Sequence, residues 1–237
     1  MKFLVVAIEF RRALARPRLL ALNVMVPVML VLAVSLGGAP KFHAAAVYTV
    51  LFILFGTFGS SIPLVRDAEA GLFGRIIRGG IPPSHLLMQR AVGGGVIDGL
   101  QLLPALTIAT LGSVSLNEWI MAVLILWSSV WIANLLGNLV AALARSLAET
   151  ALFSAVTALL LLHLSGVFRT PLPDSSWALV EALSPFQALH DMFLGVSSVG
   201  TRGEPLLGLF IWMLVLPALT VCLARPIASS LGTAADA

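Results

Sequence analysis

The chain has 237 residues, of which 59% are hydrophobic and only 11% are charged. A soluble domain is typically about 25% charged, so this composition excludes a soluble enzyme or binding domain and indicates a protein that crosses a membrane several times. The formal net charge of +3 comes from basic residues beside apolar runs, which favours contact with the membrane surface over contact with nucleic acid.

The N-terminal residues 1–17 predict an amphipathic helix that lies in the membrane interface. Its apolar residues share one face, and its charged residues, including Glu9 and Arg12, lie largely off that face. Pro17 ends or kinks this helix. A signal peptide is the alternative interpretation, but the long apolar run and the further runs that follow favour a retained signal anchor.

Six apolar runs follow, each close to the roughly 20 residues that cross a bilayer. They lie at about 19–36, 44–65, 91–112, 118–142, 150–168 and 206–224. We therefore predict an all-α polytopic membrane protein with six transmembrane helices, forming one transmembrane domain over residues 1–237. Cys222, the single cysteine, falls in the last run and is expected to be a small core residue, since one cysteine cannot form an internal disulfide.

The distribution of basic residues predicts the orientation of these spans. With the N-terminus inside, eleven of the 14 lysine and arginine residues fall in cytoplasmic segments, and only Lys41, Arg169 and Arg202 fall outside. This asymmetry follows the positive-inside rule and predicts that both termini are cytoplasmic. We expect the short polar tail after Arg225 to be frayed.

Residues 169–205, between the last two spans, lie outside by the same rule. They mix apolar residues with prolines, which predicts two short interfacial or re-entrant helices. A seventh span is disfavoured because polar residues such as Glu181 and His190 would be costly in lipid.

Residues 66–90 form a polar interruption between the second and third spans, on the predicted cytoplasmic side. We expect a short helix over residues 67–79, with Asp67 as its N-cap and Glu69 adding negative charge to its first turn. Gly79 and Gly80 would end it. A helix on the membrane face between two spans is a candidate docking element for a partner.

Polar residues inside the spans are candidates for a translocation pathway. They are Asp98, Gln101, Asn134, Asn138 and His163. A carboxylate in the middle of a bilayer costs about 2.5–3.5 kcal/mol on insertion scales, so Asp98 must face protein or water. A hydrogen bond to a neighbouring helix is the favoured interpretation for Asp98, and a pathway or proton site is the alternative. The two asparagines lie one turn apart and have the same two interpretations.

Small residues at helical spacing predict close helix packing in the third and fourth spans. Gly95 and Gly99 form a small-xxx-small pair in the third span. A ridge with a four-residue repeat follows in the fourth span, formed by Ser129, Ala133, Gly137 and Ala141.

Catalytic and metal-binding motifs are missing from the sequence. The only lysines, Lys2 and Lys41, do not follow the glycine that a phosphate-binding loop requires. No pair of histidines has the spacing of metal ligands. We predict no catalytic, cofactor or metal site in this chain; a membrane enzyme using Asp98 and His163 is a minor alternative.

Taken in order, these features resemble the ABC type 2 exporter permeases over nearly the whole chain. After the second span, that family has an acidic residue, a glycine, an E/R-R-hydrophobic-hydrophobic stretch and a proline-rich break. The matching residues here are Glu69, Gly71, Arg75, Ile76, Ile77 and Pro82. The sequence departs from the pattern at residues 72–74 and at residues 89–90, which leaves the subfamily open. The basic N-terminal helix and Ser184-Pro185-Phe186 are further points of likeness.

The resemblance implies a division of labour between subunits in the plasma membrane. A separate ATPase subunit would bind ATP and Mg²⁺, and this chain would form the pathway with a second copy of itself or a similar permease. The loop helix would dock into the ATPase as a coupling helix. The residues so implied are Asp67, Glu69, Gly71, Leu72, Phe73, Arg75, Ile76 and Ile77. The apolar residues of this helix are expected to be exposed anchors, namely Leu72, Phe73, Ile76 and Ile77. Phe73→Ala would then uncouple transport without impairing insertion.

Two other functions stay open at this point. A haem-exporter-like permease of cytochrome c maturation has a similar size, but the long segment between the last two spans argues against it. A proton-coupled secondary transporter would use Asp98, although the broken spans in corresponding halves that would favour it are not seen. Few ionisable residues lie in the spans, which favours a lipidic, amphiphilic or hydrophobic cargo; drugs, antibiotics, lipids and glycans all fit.

Overall fold

The structure is a computed structural model that describes residues 4–110, 115–144, 146–168, 177–195 and 204–233. Within these ranges the chain forms eleven α-helices and no strand, which confirms the predicted all-α class. The helices are α1 (Leu4–Leu14), α2 (Pro17–Leu36), α3 (Lys41–Glu69), α4 (Leu72–Arg78), α5 (Pro83–Thr110), α6 (Leu116–Ala141), α7 (Leu147–Leu164), α8 (Trp177–Ala182), α9 (Gln187–Leu194), α10 (Glu204–Cys222) and α11 (Ala224–Thr233).

Several of these helices are long and apolar enough to cross a membrane. Among the described residues there are five, namely α2, α3, α5, α6 and α7. Helices α10 and α11 provide a sixth only if they count as one span bent by 58° at Leu223. The multi-pass character is therefore confirmed, whereas the count of six spans stays a prediction. The predicted end of the third span, at residues 111–112, lies outside the described residues.

The centre of the molecule is the packing of α3 against α6. A Cβ atom added to Gly56 of α3 would lie 3.0 Å from the Cβ of Ala133, so the two helices approach closely. The whole small-residue ridge of α6 is buried, which confirms the predicted helix interface. Helices α2, α7 and α10 lie further out and expose apolar side chains such as Leu22, Leu160 and Leu214, as lipid-facing helices do.

The boundaries of the 66–90 loop differ from the prediction at both ends. Helix α3 continues to Glu69, so Asp67 lies in its last turn, and the prediction of Asp67 as an N-cap is wrong. The N-cap of α4 is Gly71, whose φ of 66° is in the left-handed region that glycine adopts without strain. At the other end, α5 begins at Pro83, a favourable first helical residue. Arg90 therefore lies about two turns inside α5.

The tail after Arg225 is helical up to Thr233, in α11, so the expectation of a frayed tail is wrong over the described residues. Helix α11 buries Ala224, Ile227 and Leu231, and the Ser230 hydroxyl donates a hydrogen bond of 3.1 Å to the Ala142 carbonyl oxygen. The three buried residues recur at helical spacing, so α11 has one apolar face. Its overall composition of small and polar residues conceals this pattern.

The predicted pair of short helices between the last two spans is present as α8 and α9. Helix α9 packs against α3 and buries Leu189 and Met192. The Trp212 indole donates a hydrogen bond of 2.8 Å to the Leu183 carbonyl oxygen, which ties this segment to α10. Arg169 and Arg202, which the orientation prediction places outside, are not among the described residues.

Candidate functional site at the loop between helices α3 and α5

Helix α4 is seated on an apolar cluster. Phe73 is only 2% exposed and packs there with Leu64, Val65, Leu86 and Ile227. The prediction of Phe73 as an exposed anchor is therefore wrong. Sequence could not reveal this, because a seven-residue helix has too few turns for apolar spacing to show which side faces the protein.

The opposite face of α4 is open. Arg75 and Arg78 are exposed, and a Cβ atom added to Gly74 would meet nothing within 4 Å. Arg75 also donates a hydrogen bond of 3.3 Å to the Ala70 carbonyl oxygen, across the turn before α4. Leu72 is half-buried at the edge of this face. The open face is thus basic at its centre and apolar only at its edge.

The other residues predicted in the coupling set are dispersed. Ile76 and Ile77 are half-buried against the same cluster as Phe73. Glu69 is exposed at the end of α3. Asp67 is buried and has different partners, described next.

Four charged residues meet where α1, α3 and α5 come together, and we call this set, Glu9, Arg12, Asp67 and Arg90, the charge ring. Arg12 Nη1 lies 2.9 Å from Asp67 Oδ2 and 3.6 Å from Glu9 Oε1. Arg90 Nη2 lies 3.3 Å from Glu9 Oε1 and also pairs with Asp67. Each acid therefore contacts both arginines.

Two members of the charge ring are buried. Arg90 and Asp67 are each 7% exposed, and side chains of these types are almost never buried unless they are paired. The hydrogen bond to Asp67 raises the pKa of the Arg12 guanidinium above its usual value, although partial burial opposes the rise. The Val5 amide donates a further hydrogen bond of 3.2 Å to Gln89 Oε1, between α1 and α5.

The charge ring was missed by sequence reasoning, because Arg90 was placed in the loop and Asp67 at a helix cap. One signal was present. Glu9 lies off the apolar face of α1, where an interfacial helix meets either solvent or protein. Only the positions of α3 and α5 show that it meets protein.

The polar residues of the spans form two bridges between α5 and α6. Asn134 Nδ2 donates hydrogen bonds to Asp98 Oδ2 at 3.1 Å and to the Val130 carbonyl oxygen at 3.0 Å. Asn138 Nδ2 donates to the Leu87 carbonyl oxygen at 3.2 Å. The interhelical hydrogen bonds favoured by the sequence are therefore present.

The remaining pathway candidates do not join these bridges. Gln101 is buried in α5, one helical turn beyond Asp98. His163 is exposed in the last turn of α7. The structure thus brings Asp98 and Asn134 into contact, and it leaves His163 on the outer surface.

The glycines of α5 make the α5–α6 contact possible. The Trp127 indole of α6 donates a hydrogen bond of 3.1 Å to the Gly95 carbonyl oxygen. Added Cβ atoms would collide with the Trp127 ring at Gly99 and with the Asn134 amide at Gly94. The predicted small-xxx-small contact is confirmed.

Comparison with known protein families identifies the family of this chain. The sequence model of the ABC-2 type transporter family matches residues 3–197. This range includes α1, the charge ring, the 66–90 loop and the Asp98–Asn134 bridge, and it covers well over half of the chain. No curated protein matches the chain. The chain therefore belongs to the ABC-2 type transporter family and is a multi-pass permease component of an ABC transporter.

Proposed function

We propose that this chain is the permease subunit of an ATP-driven exporter in the plasma membrane, with both termini in the cytoplasm. A separate ATPase subunit binds ATP and Mg²⁺ and docks on α4. The translocation pathway forms between this chain and a second copy of itself or a similar permease. Family membership supports an ATPase partner in general, and the excess of basic residues in one set of loops supports the orientation.

The observation that carries this proposal is the two-sided character of α4. One side is fixed by the burial of Phe73, and the other offers Gly74, Arg75 and Arg78 to a partner. A short helix that is packed on one side and open on the other can pass the movement of a docked partner to α3 and α5. The apolar cluster prevents α4 from tilting independently of these two helices.

Coupling then follows from differential binding. The two ATPase subunits approach each other when ATP binds, and α4 moves with the subunit on which it is docked. Because α4 is joined through short turns to α3 and α5, the bound ATPase favours one arrangement of these spans over another. A ligand shifts such an equilibrium only through unequal affinity for the two arrangements.

The docking face is tested by placing a larger side chain on the open face of α4. Gly74→Leu should fold normally, because the open face of α4 has room for a side chain. We expect it to weaken ATPase binding by about ten-fold or more, since the added side chain fills the interface. Arg75→Ala should weaken binding by a smaller factor through loss of the exposed charge.

The measurement is co-purification of the tagged permease with a co-expressed candidate ATPase subunit, together with the ATPase activity of the complex. Ala148→Leu is the matched control, because Ala148 is an exposed small residue in the first turn of α7. Equal binding by Gly74→Leu, the control and the unchanged protein would show that the ATPase docks elsewhere.

A proton-coupled secondary transporter is the second candidate, and the Asp98–Asn134 bridge inside the membrane is the observation that favours it. It requires no ATPase subunit. If none associates with the unchanged permease and a pH gradient alone drives flux, the exporter assignment is wrong and Asp98 becomes the site to study.

A further inference from the structure

A cavity of about 210 Å³ lies between α1 and the segment that carries α4. Its apolar walls come from both sides and are formed by Val5, Ile8, Ile76, Gly79 and Ile81. An apolar cavity of about 150 Å³ already stays dry and is large enough to bind benzene. A short segment of hydrocarbon is therefore the ligand that fits this part of the cavity.

The rest of the cavity wall is charged. Glu9, Arg12 and Arg90, three members of the charge ring, line the same cavity. The exposed fraction of the side chain falls from 39% for Arg12 to 19% for Glu9 and 8% for Arg90. Arg12 is thus the charged group most open to the surroundings of the cavity, and Arg90 is the most enclosed.

The lining residues of α1 form a single stripe along that helix. Val5, Ile8, Glu9 and Arg12 follow one another at intervals of three, one and three residues, so they share one side of α1. The stripe is apolar in its first half and charged in its second half. At a rise of 1.5 Å per residue it is about 10 Å long. A ligand that lies along this stripe must itself be amphiphilic.

Arg90 has one donor nitrogen without a partner. Its Nη2 pairs with Glu9 and Asp67, whereas its Nη1 is buried and has no hydrogen-bond partner among the residues that the structure describes. A buried donor without an acceptor is unfavourable, most of all on a charged group. An acceptor oxygen from a ligand would remove this cost. Because Glu9 already places a negative charge beside Arg90, a neutral carbonyl oxygen is favoured there over a second anion.

Arg12 offers a different contact at the open side of the cavity. Both of its acidic partners, Glu9 and Asp67, are reached through Nη1. A guanidinium group has five N–H donors, so donors of Arg12 remain for a further acceptor. Arginine binds phosphate well because its planar fork matches the phosphate oxygens. The exposed end of the charged stripe is therefore suited to a phosphate group.

We propose that this cavity binds a glycerophospholipid from the membrane leaflet that α1 borders. The upper part of one acyl chain packs between Ile8 and Ile81, an ester carbonyl oxygen accepts from Arg90, and the phosphate lies at Arg12. A glycerophospholipid carries these three groups in this order, from anion through neutral carbonyl to hydrocarbon. The site is separate from the open face of α4, and lipid binding there requires no ATPase subunit.

The chemistry of the ligand is tested by native mass spectrometry on the purified full-length permease, titrated with three probes. The first probe is dioleoylphosphatidylglycerol. The second is dioleoylglycerol, which has the same chains and esters but no phosphate. The third is the diether analogue of the first, which keeps the phosphate and lacks the ester carbonyl groups. We expect each of the two analogues to bind about ten-fold or more weakly than dioleoylphosphatidylglycerol, because a site that hydrogen-bonds a group rejects a ligand without it.

The location of the site is tested by filling the cavity from two walls. Ile8→Trp and Ile81→Trp each place a larger side chain there, and we expect each to weaken the binding of dioleoylphosphatidylglycerol by about ten-fold or more through steric exclusion. Ile211→Trp is the matched control. Ile211 of α10 is 37% exposed, close to the 38% of Ile8, and it does not line the cavity. Thermal unfolding in detergent shows that each variant is folded.

Two results would overturn the inference. One is binding of dioleoylphosphatidylglycerol that neither filling variant weakens relative to Ile211→Trp, although both are folded. The other is equal affinity for dioleoylphosphatidylglycerol and either analogue, which would show that the phosphate or the ester carbonyl is not recognised. All these measurements use the permease alone. Failure of the lipid site is therefore distinguishable from failure of ATPase docking, which co-purification measures.

Discussion

At the scale of the residue, Asp98 of α5 contacts the Asn134 amide of α6, as the structural interpretation of Asp98 requires. The Asn134 Nδ2 group donates to its carboxyl oxygen at 3.1 Å, and Gly59 and Gly94 leave no room for further side chains around the pair. The residue is therefore enclosed by helices, as expected for a group that joins them.

The substitution Asp98→Asn should change little, because its amide oxygen can still accept the hydrogen bond from Asn134. Asp98→Ala should destabilise the protein by about 1–3 kcal/mol, because it leaves the buried Asn134 amide without this acceptor. Thermal unfolding in detergent measures both effects. A proton-carrying role would instead make Asp98→Asn as inactive as Asp98→Ala in transport, even if it is as stable as the unchanged protein.

His190 of α9 gives the molecule a pH-dependent contact outside the spans. It is 3% exposed, it lies edge-on to the Phe42 ring at 5.8 Å, and its Nδ1 is 3.5 Å from the Thr49 hydroxyl. Burial lowers the pKa of His190 from its usual 6.5 to about 4, although a backbone hydrogen bond with Ala45 opposes this. The folded protein therefore holds this histidine neutral.

The sign of the pH effect follows from linkage. Between pH 6.5 and about 4 the unfolded chain binds a proton that folded His190 does not, so stability falls as pH falls through this window. We expect His190→Gln to show a smaller drop in melting temperature between pH 7 and pH 4.5 than the unchanged protein. His163→Gln is the control, since His163 is exposed. Equal drops in all three proteins would contradict the assignment.

At the scale of secondary-structure elements, helices α4 and α11 stabilise each other by packing in one apolar cluster. Phe73 from α4 and Ile227 and Leu231 from α11 are buried in one apolar cluster with the ends of α3 and α5. The C-terminal helix α11 thus supports α4 on its buried side. This arrangement replaces the expectation that Phe73 contacts the ATPase directly.

Phe73→Ala should destabilise the permease by about 3–5 kcal/mol and Ile227→Ala by about 2–5 kcal/mol, the usual cost of a cavity in a packed core. Leu72→Ala is the control on the same helix, because Leu72 is only half-buried at the edge of the open face. Chemical unfolding of the purified permease compares the three. If Phe73→Ala is as stable as Leu72→Ala, α4 is not seated as the structure shows.

At the scale of the whole molecule, the proposed orientation places α4 and α8 on opposite sides of the membrane. The two helices are separated along the chain by α5, α6 and α7, which are all long enough to cross it. An odd number of crossings brings the chain to the other side. The segments that carry the two helices should therefore differ in access from outside the cell.

This topology is tested with single cysteines in a Cys222→Ala background, which removes the one native cysteine of the sequence. A membrane-impermeant maleimide added to intact cells should label Leu179→Cys on α8 and leave Arg78→Cys on α4 unlabelled. Permeabilised cells that produce the permease without the ATPase subunit should label both, since both positions are then exposed. Labelling of Arg78→Cys in intact cells would reverse the proposed orientation.

Composition and apolar runs were sufficient to predict the fold class, because a bilayer imposes length and hydrophobicity on every span separately. The same holds for the α3–α6 and α5–α6 contacts, where small residues such as Ala133 and Gly99 mark close approach locally. For Asp98, the sequence favoured a hydrogen bond to a neighbouring helix over a pathway role, since an isolated carboxylate is too costly in lipid.

The direction of short helices and the partners of individual charges needed the tertiary structure. The burial of Phe73 depends on α11, which is remote in sequence, and the small polar residues of α11 concealed its apolar face. The charge ring joins Glu9 to Arg90, 81 residues apart, so no local pattern contains it. The sequence by itself determined which segments enter the membrane, because that choice is made segment by segment. Tertiary packing decided which surfaces of those segments meet, because each such contact depends on two segments at once.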